Sequence, residues 1–211
     1  MTVYNTLKNF APIERNLSGL GMIGYANPIS ITESEFYFIR DFIKSHNLKS
    51  GFEVATAFGV SACAAGLGFK ETGGHLVTMD CYIEEITKNC SAYNLEKSTN
   101  TKNEDPNGLK ICKMLLAGLT LDCVTPIIGV SPQDIPEGRY DYVFIDAEQT
   151  DDAVRRDLLG IKPYLADRFA VFVHDWHCFH GLSDFVRENF GCEVSVNVAD
   201  SPYNLSMFRN F

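Results

Sequence analysis

Residues 53–80 read EVATAFGVSACAAGLGFKETGGHLVTMD. A short apolar run reaches Thr56, a tight loop follows, and Ser61–Glu71 is rich in small helix-forming residues. His75–Asp80 is then a second apolar run that ends in an acid. Apolar run, loop, helix and apolar run form a βαβ unit, and its two strands must be parallel. The loop also bears on the ligand. A dinucleotide-binding turn carries G-x-G-x-x-G, but Ala55 and Ala57 occupy this loop and only Gly59 remains.

The same alternation continues outward. Ile83–Leu95 and residues 109–119 read as helices separated by a polar stretch over 97–107, and residues 124–130 and 140–146 read as strands. Asp151–Leu165 follows as a helix, residues 168–175 as a strand, and Leu182–Asn189 as a helix. Two final strands, within CEVSVNVA and YNLSMFRNF, are joined by the turn DSP, too short for a crossover, so they are antiparallel. Upstream, Thr32 and Glu35 form a capping box before the apolar positions Phe36, Phe38, Ile39, Phe42 and Ile43, which predicts a helix to about Ser45. The expected architecture is α/β: a doubly wound, Rossmann-like, seven-stranded sheet, mostly parallel, with an antiparallel C-terminal hairpin. Residues 1–49 read as an N-terminal cap and helix, and residues 50–211 as the ligand-binding domain of a single-domain chain.

Composition narrows the partners. The 211 residues carry a formal net charge of −9 with no Lys/Arg cluster, which argues against nucleic acid. No run of about 18 apolar residues predicts a membrane span, and the first residues lack the apolar core of a signal peptide. The seven cysteines are scattered without a CxxC pair, which suits reduced thiols and a cytoplasmic location. Association of identical copies is compatible with the sequence but not specified by it.

In a doubly wound sheet, ligands sit beyond the carboxyl ends of the strands. Asp80 ends the second strand of the unit, where an acid accepts hydrogen bonds from a ribose diol or caps the next helix. Asp146 ends YDYVFID and Asp175 ends AVFVHD, so the two carboxylates face one crevice. Paired carboxylates suit a hard cation or general-base chemistry. Three of the five histidines, His174, His177 and His180, crowd around Asp175, and His174 and His177 are candidate bases or ligands.

Together, FEVATAFGVSA, VTMD, YDYVFIDAEQTDDAVRRDLLGIKPYL, FAVFVHDWH and GLSDFVRENFGCEV resemble the class I S-adenosylmethionine-dependent methyltransferases, in particular the small O-methyltransferase-like group. The resemblance spans roughly residues 50–211. It implies a cofactor site at Glu53, Ala55, Thr56, Gly59, Ser61, Asp80, Val130, Ser131 and Asp146. Glu53 would lie near the donor's amino group, Ser61 near its carboxylate, Asp80 at the ribose, and Val130 and Ser131 beside the adenine. It further implies catalytic roles for Asp146, His174, Asp175 and His177, with Asp146, Asp175 and His174 as ligands of Mg2+ or another divalent cation. Three departures stand out. Ala55 replaces a glycine and Val130 an acid, and Ala147–Thr150 holds no lysine where catechol-type members place a base. The expected acceptor is therefore a hydroxyl on a small molecule or sugar. A non-catalytic binding module and, with less support, an NAD(P)-dependent oxidoreductase are the alternatives.

Overall fold

The computed structural model describes residues 2–8, 14–16, 26–28, 31–81, 108–202 and 204–211. The expected helix at Ile83–Leu95 and the polar stretch 97–107 lie outside them, as does most of the expected cap over residues 1–30.

After a short helix α1 (Val3–Lys8), strands β1 (Glu14–Asn16) and β2 (Ala26–Pro28) pair antiparallel with each other. Helix α2 (Glu33–His46) starts where the capping box predicts. The Thr32 hydroxyl accepts from the Glu35 N–H, and the Glu35 carboxylate accepts from the Thr32 N–H at 2.7 Å. Phe36, Ile39, Phe42 and Ile43 are buried along one stripe, each such side chain contributing roughly 1.5–3 kcal/mol. Asn47, in the left-handed conformation, ends the helix.

The main sheet contains β3 (Ser50–Val54), β4 (His75–Asp80), β5 (Val124–Ile128), β6 (Tyr140–Ile145), β7 (Leu165–Val173), β8 (Val194–Ser195) and β9 (Ser206–Arg209). Their spatial order is β5-β4-β3-β6-β7-β9-β8. The first five are parallel, and β9 runs antiparallel to both β7 and β8. The chain winds outward from β3 to β5, then returns to place β6 on the other side of β3. The order thus reverses between β3 and β6, the crevice at which such sheets bind ligands.

Side chains alternate between two cores. Tyr142, Phe144 and Phe172 point into the layer of α2, α3 (Val60–Thr72) and α4 (Gly108–Gly118). Phe52, Val143 and Val171 face the layer of α5 (Asp151–Ile161) and α6 (Leu182–Phe190). The small residues of α3 have a packing cause. A Cβ on Gly68 would stand 2.8 Å from Ile43 Cβ of α2, and one on Gly66 would stand 2.6 Å from a Val124 methyl of β5.

Several boundaries differ from expectation, the strands expected to Thr56 and over 124–130 ending at Val54 and Ile128, and the widest differences flank Pro163. Helix α5 ends at Ile161 rather than Leu165, because Pro163 has no N–H to continue it and the chain tightens into a 3-10 turn over Lys162–Tyr164. Strand β7 consequently starts at Leu165 instead of Arg168, and it stops at Val173, two residues before Asp175.

Candidate functional site

The loop after β3 is held in an unusual backbone conformation. Ala55 (φ 71°), Ala57 (φ 44°) and Gly59 (φ 82°) all have positive φ. Ala55 and Thr56 N–H groups both donate to the Met79 carbonyl, and the Ala57 N–H donates to Asp80 Oδ2 at 2.7 Å. Asp80 is buried at the end of β4 and ties this loop to its neighbouring strand. The Thr56 and Thr78 hydroxyls lie 2.5 Å apart. Gly59 caps α3, and any Cβ there would stand 2.5 Å from Cys112 Sγ of α4, so helix packing as well as conformation requires glycine.

Glu53 lies beneath this loop, almost wholly buried. Ser61 donates its hydroxyl to one carboxylate oxygen. The other oxygen, Oε2, is buried with no hydrogen-bond partner in geometric reach among the described residues. Burial pushes the Glu53 carboxyl up to about 7; the Ser61 and Thr78 hydroxyls oppose this, and the negative charges of Asp146 and Asp80 add to it. A buried carboxylate with an open oxygen is matched to an ammonium group.

Across the reversal point, β6 and β7 contribute the second half. His174 follows β7 directly and its N–H still bonds the Ile145 carbonyl. The ring is buried, with Nδ1 3.3 Å from Asp146 Oδ1 and 3.4 Å from Asp175 Oδ2. Its Nε2 lies 3.4 Å from Glu35 Oε2 of α2. Burial disfavours a charged ring, but Asp146, Asp175 and Glu35 outweigh it and push the His174 pKa far up. Burial likewise disfavours the Glu35 anion, yet His174, Ser201 and the Thr32 N–H hold its carboxyl below the usual range. Asp175 itself sits at φ 53°, and Gln149 donates its amide to Asp175 Oδ2. Among the described residues, Asp146, His174 and Asp175 each offer a ligand atom, all within 4.8 Å of one another. This donor set of one imidazole and two carboxylates fits a divalent cation.

The structure therefore brings Glu53, Ala55, Thr56, Gly59, Ser61 and Asp80 together in one loop system, and Asp146, His174 and Asp175 in one cluster. His177 is not one of these ligand groups. It is exposed on the 3-10 turn Trp176–Cys178, and its Nε2 is 3.6 Å from Cys178 Sγ. Val130 is exposed just past β5, its N–H donating to Asp134. The Ser131 hydroxyl lies against the buried Asp157 carboxylate of α5, which burial pushes up. Glu35 and Gln149 were not legible as site residues. Glu35 reads as a helix cap, yet it falls on the same stripe as Ile39 and Phe42, and an acid on a buried stripe was the available signal.

The sheet order with its C-terminal antiparallel hairpin defines the class I S-adenosylmethionine-dependent methyltransferase fold. A family profile described as a methyltransferase domain matches residues 52–176, more than half of the chain, and the chain belongs to that family. Solved structures agree on the fold. A putative caffeoyl-CoA O-methyltransferase from Staphylococcus aureus is 13% identical, with TM-score 0.65 and coverage of 100% of this chain and 93% of that one. The O-methyltransferase from Bacillus cereus in complex with SAH is 13% identical, with TM-score 0.62 and coverage of 98% and 91%. The SAH-bound methyltransferase PaMTH1 from Podospora anserina is 14% identical, with TM-score 0.61 and coverage of 98% and 85%. Among curated proteins, none matches by sequence. Among the described residues, no helix is long and apolar enough to cross a membrane.

Proposed function

We propose that the protein methylates a hydroxyl group of a small molecule, with polyols such as sugars as the acceptor class, using S-adenosylmethionine as donor. The observation that carries this reading is the open, buried Oε2 of Glu53 at the end of the central strand, facing the reversal point of a methyltransferase-family sheet. The donor supplies an activated methyl on a sulfonium, so the protein's work is alignment, exclusion of water and removal of one proton.

Glu53 binds the donor's ammonium, and Ser61 orients Glu53 for it. The first turn of α3, whose N–H groups have no helical acceptors, receives the donor's carboxylate. Asp80 takes the ribose hydroxyls, and Val130 and Ser131 flank the adenine. Ala55 and Thr56 form the floor, their N–H groups already committed to the Met79 carbonyl. Asp146, His174 and Asp175 hold a divalent cation, which when bound lowers the pKa of an acceptor hydroxyl. His177, exposed beside this cluster in sequence, accepts the hydroxyl proton, since His174 is enclosed by carboxylates. Trp176, buried behind Asp175, keeps the far side of the cluster dry. A reducing, cytoplasmic location suits the six cysteines of the described residues, all unpaired, and the acidic surface suits an acceptor that is not a polyanion.

The test is transfer of labelled methyl to a panel of hydroxylated acceptors, with and without chelator. The proposal expects transfer to at least one polyol and its suppression by chelator. His177→Asn should lower kcat by roughly 10²–10⁴-fold with donor affinity unchanged. Donor binding without transfer to any acceptor would favour a non-catalytic module instead.

A further inference from the structure

His174 is held from both sides. On one side, Glu35 Oε2 is fixed in place by the Thr32 N–H at 2.7 Å and lies 3.0 Å from the Thr32 hydroxyl. It faces His174 Nε2 at 3.4 Å, and Glu35 itself is fully buried. When Nδ1 gives up its proton to ligate a metal, a carboxylate there keeps the remaining ring proton on Nε2. Nδ1 faces Asp146 Oδ1 and Asp175 Oδ2, at 3.3 and 3.4 Å. Two carboxylates facing one ring nitrogen call for positive charge at that point, and a bound cation supplies it in place of the ring proton. Three carboxylates converge on this one ring. An outer carboxylate on one ring nitrogen and two candidate ligand carboxylates beside the other is the arrangement in which an outer acid orients a metal-bound histidine.

Resting on the reading of this cluster as the cation site of a methyltransferase, we infer that the ion is a first-row transition-metal dication that accepts imidazole beside carboxylate, such as Fe(II), Co(II) or Mn(II), and that Glu35 is the positioning residue that aims His174 at it. Mg2+ and Ca2+ prefer oxygen donors throughout and gain little from an imidazole nitrogen. The assignment also gives α2 a function. The capping box that starts the helix is the device that fixes the outer carboxylate, so the N-terminal helix and the ligand cluster are joined through one side chain.

The test uses the full chain, stripped with chelator and titrated calorimetrically with MnCl2, MgCl2 and CaCl2 in turn. Mn(II) should bind at least about tenfold more tightly than Mg2+ or Ca2+. Electron spin-echo spectra of the Mn(II)-loaded protein should show nitrogen coupling from one imidazole, lost in His174→Gln. Glu35→Gln keeps a capping-box residue, and it should weaken Mn(II) binding by about 10–100-fold while S-adenosylmethionine affinity is unchanged. Equal affinity for Mn(II) and Mg2+, absence of nitrogen coupling in the unaltered protein, or unchanged Mn(II) affinity in a folded Glu35→Gln variant would each overturn the inference. Any of these with intact S-adenosylmethionine binding leaves the methyltransferase reading standing; loss of donor binding in the unaltered protein counts against that reading itself.

Discussion

Ala55 occupies a backbone conformation that L-residues avoid, with φ 71°. That conformation costs an L-residue roughly 1–2 kcal/mol, while glycine would cost about 0.4–1 kcal/mol in added freedom of the unfolded chain. Ala55→Gly should therefore be neutral or stabilising by up to about 1.5 kcal/mol in urea denaturation; a clear loss of stability would show that the methyl is packed rather than strained. The sequence shows Ala55 only as a departure from glycine, since φ is set by the two N–H bonds to Met79 and not by the residue type. Glu53 gives a sharper prediction. Its folded pKa, pushed up to about 7, lies above the ordinary 4.5, so between these values the folded state holds more protons than the unfolded state. Stability contributed by the protonated form is thus fully present below pH 4.5 and is lost as pH rises to about 7. The whole effect amounts to about 3 kcal/mol at most. Glu53→Gln should flatten the pH dependence of Tm over this window. In the unaltered protein, donor binding near pH 6 should release a proton, seen as calorimetric heats that vary with buffer ionisation enthalpy.

Helix α3 shows how an element can be legible in outline and hidden in its reasons. Its small residues mark it as a helix, and the structure shows why they are small: Ile43 and Val124 stand against Gly68 and Gly66. Gly59 reads in the sequence as a ligand-facing glycine, but the space before it is filled by Cys112 from α4, far along the chain. Gly59→Ala combines left-handed strain with overpacking and should destabilise by roughly 2–4 kcal/mol. Cys112→Ala in the same chain should recover part of that loss, as read by thermal melts; no recovery would place the cost in the backbone alone. Helix α2 is the converse case. Its start was fully legible, because a capping box is a local pattern, whereas the reach of Glu35 to His174 spans most of the chain and leaves no local trace.

At the scale of the whole molecule, alternation of apolar runs with helical stretches was enough to fix strand type, and the short DSP connection was enough to make the last pair antiparallel. The placement of Asp146 and Asp175 across one crevice also followed, since parallel neighbours align their carboxyl ends. The strand order was not readable from periodicity, because which strand lies beside β3 depends on tertiary packing of both helical layers. The exposure of His177 was equally hidden, as it depends on the left-handed turn at Asp175. The order that results sets Glu53 and Asp80 on one side of the reversal point and Asp146 with His174 on the other, and the proposed function assigns the donor to the first half and the acceptor to the second. The most direct check is isothermal titration of the full chain with S-adenosylmethionine, S-adenosylhomocysteine and NAD. The account predicts saturable binding of the first two at one site per chain, abolished or strongly weakened in Glu53→Gln and Asp80→Ala, and no binding of NAD. Binding of NAD in preference to S-adenosylmethionine, or no binding of either sulfur nucleoside by folded protein, would contradict it.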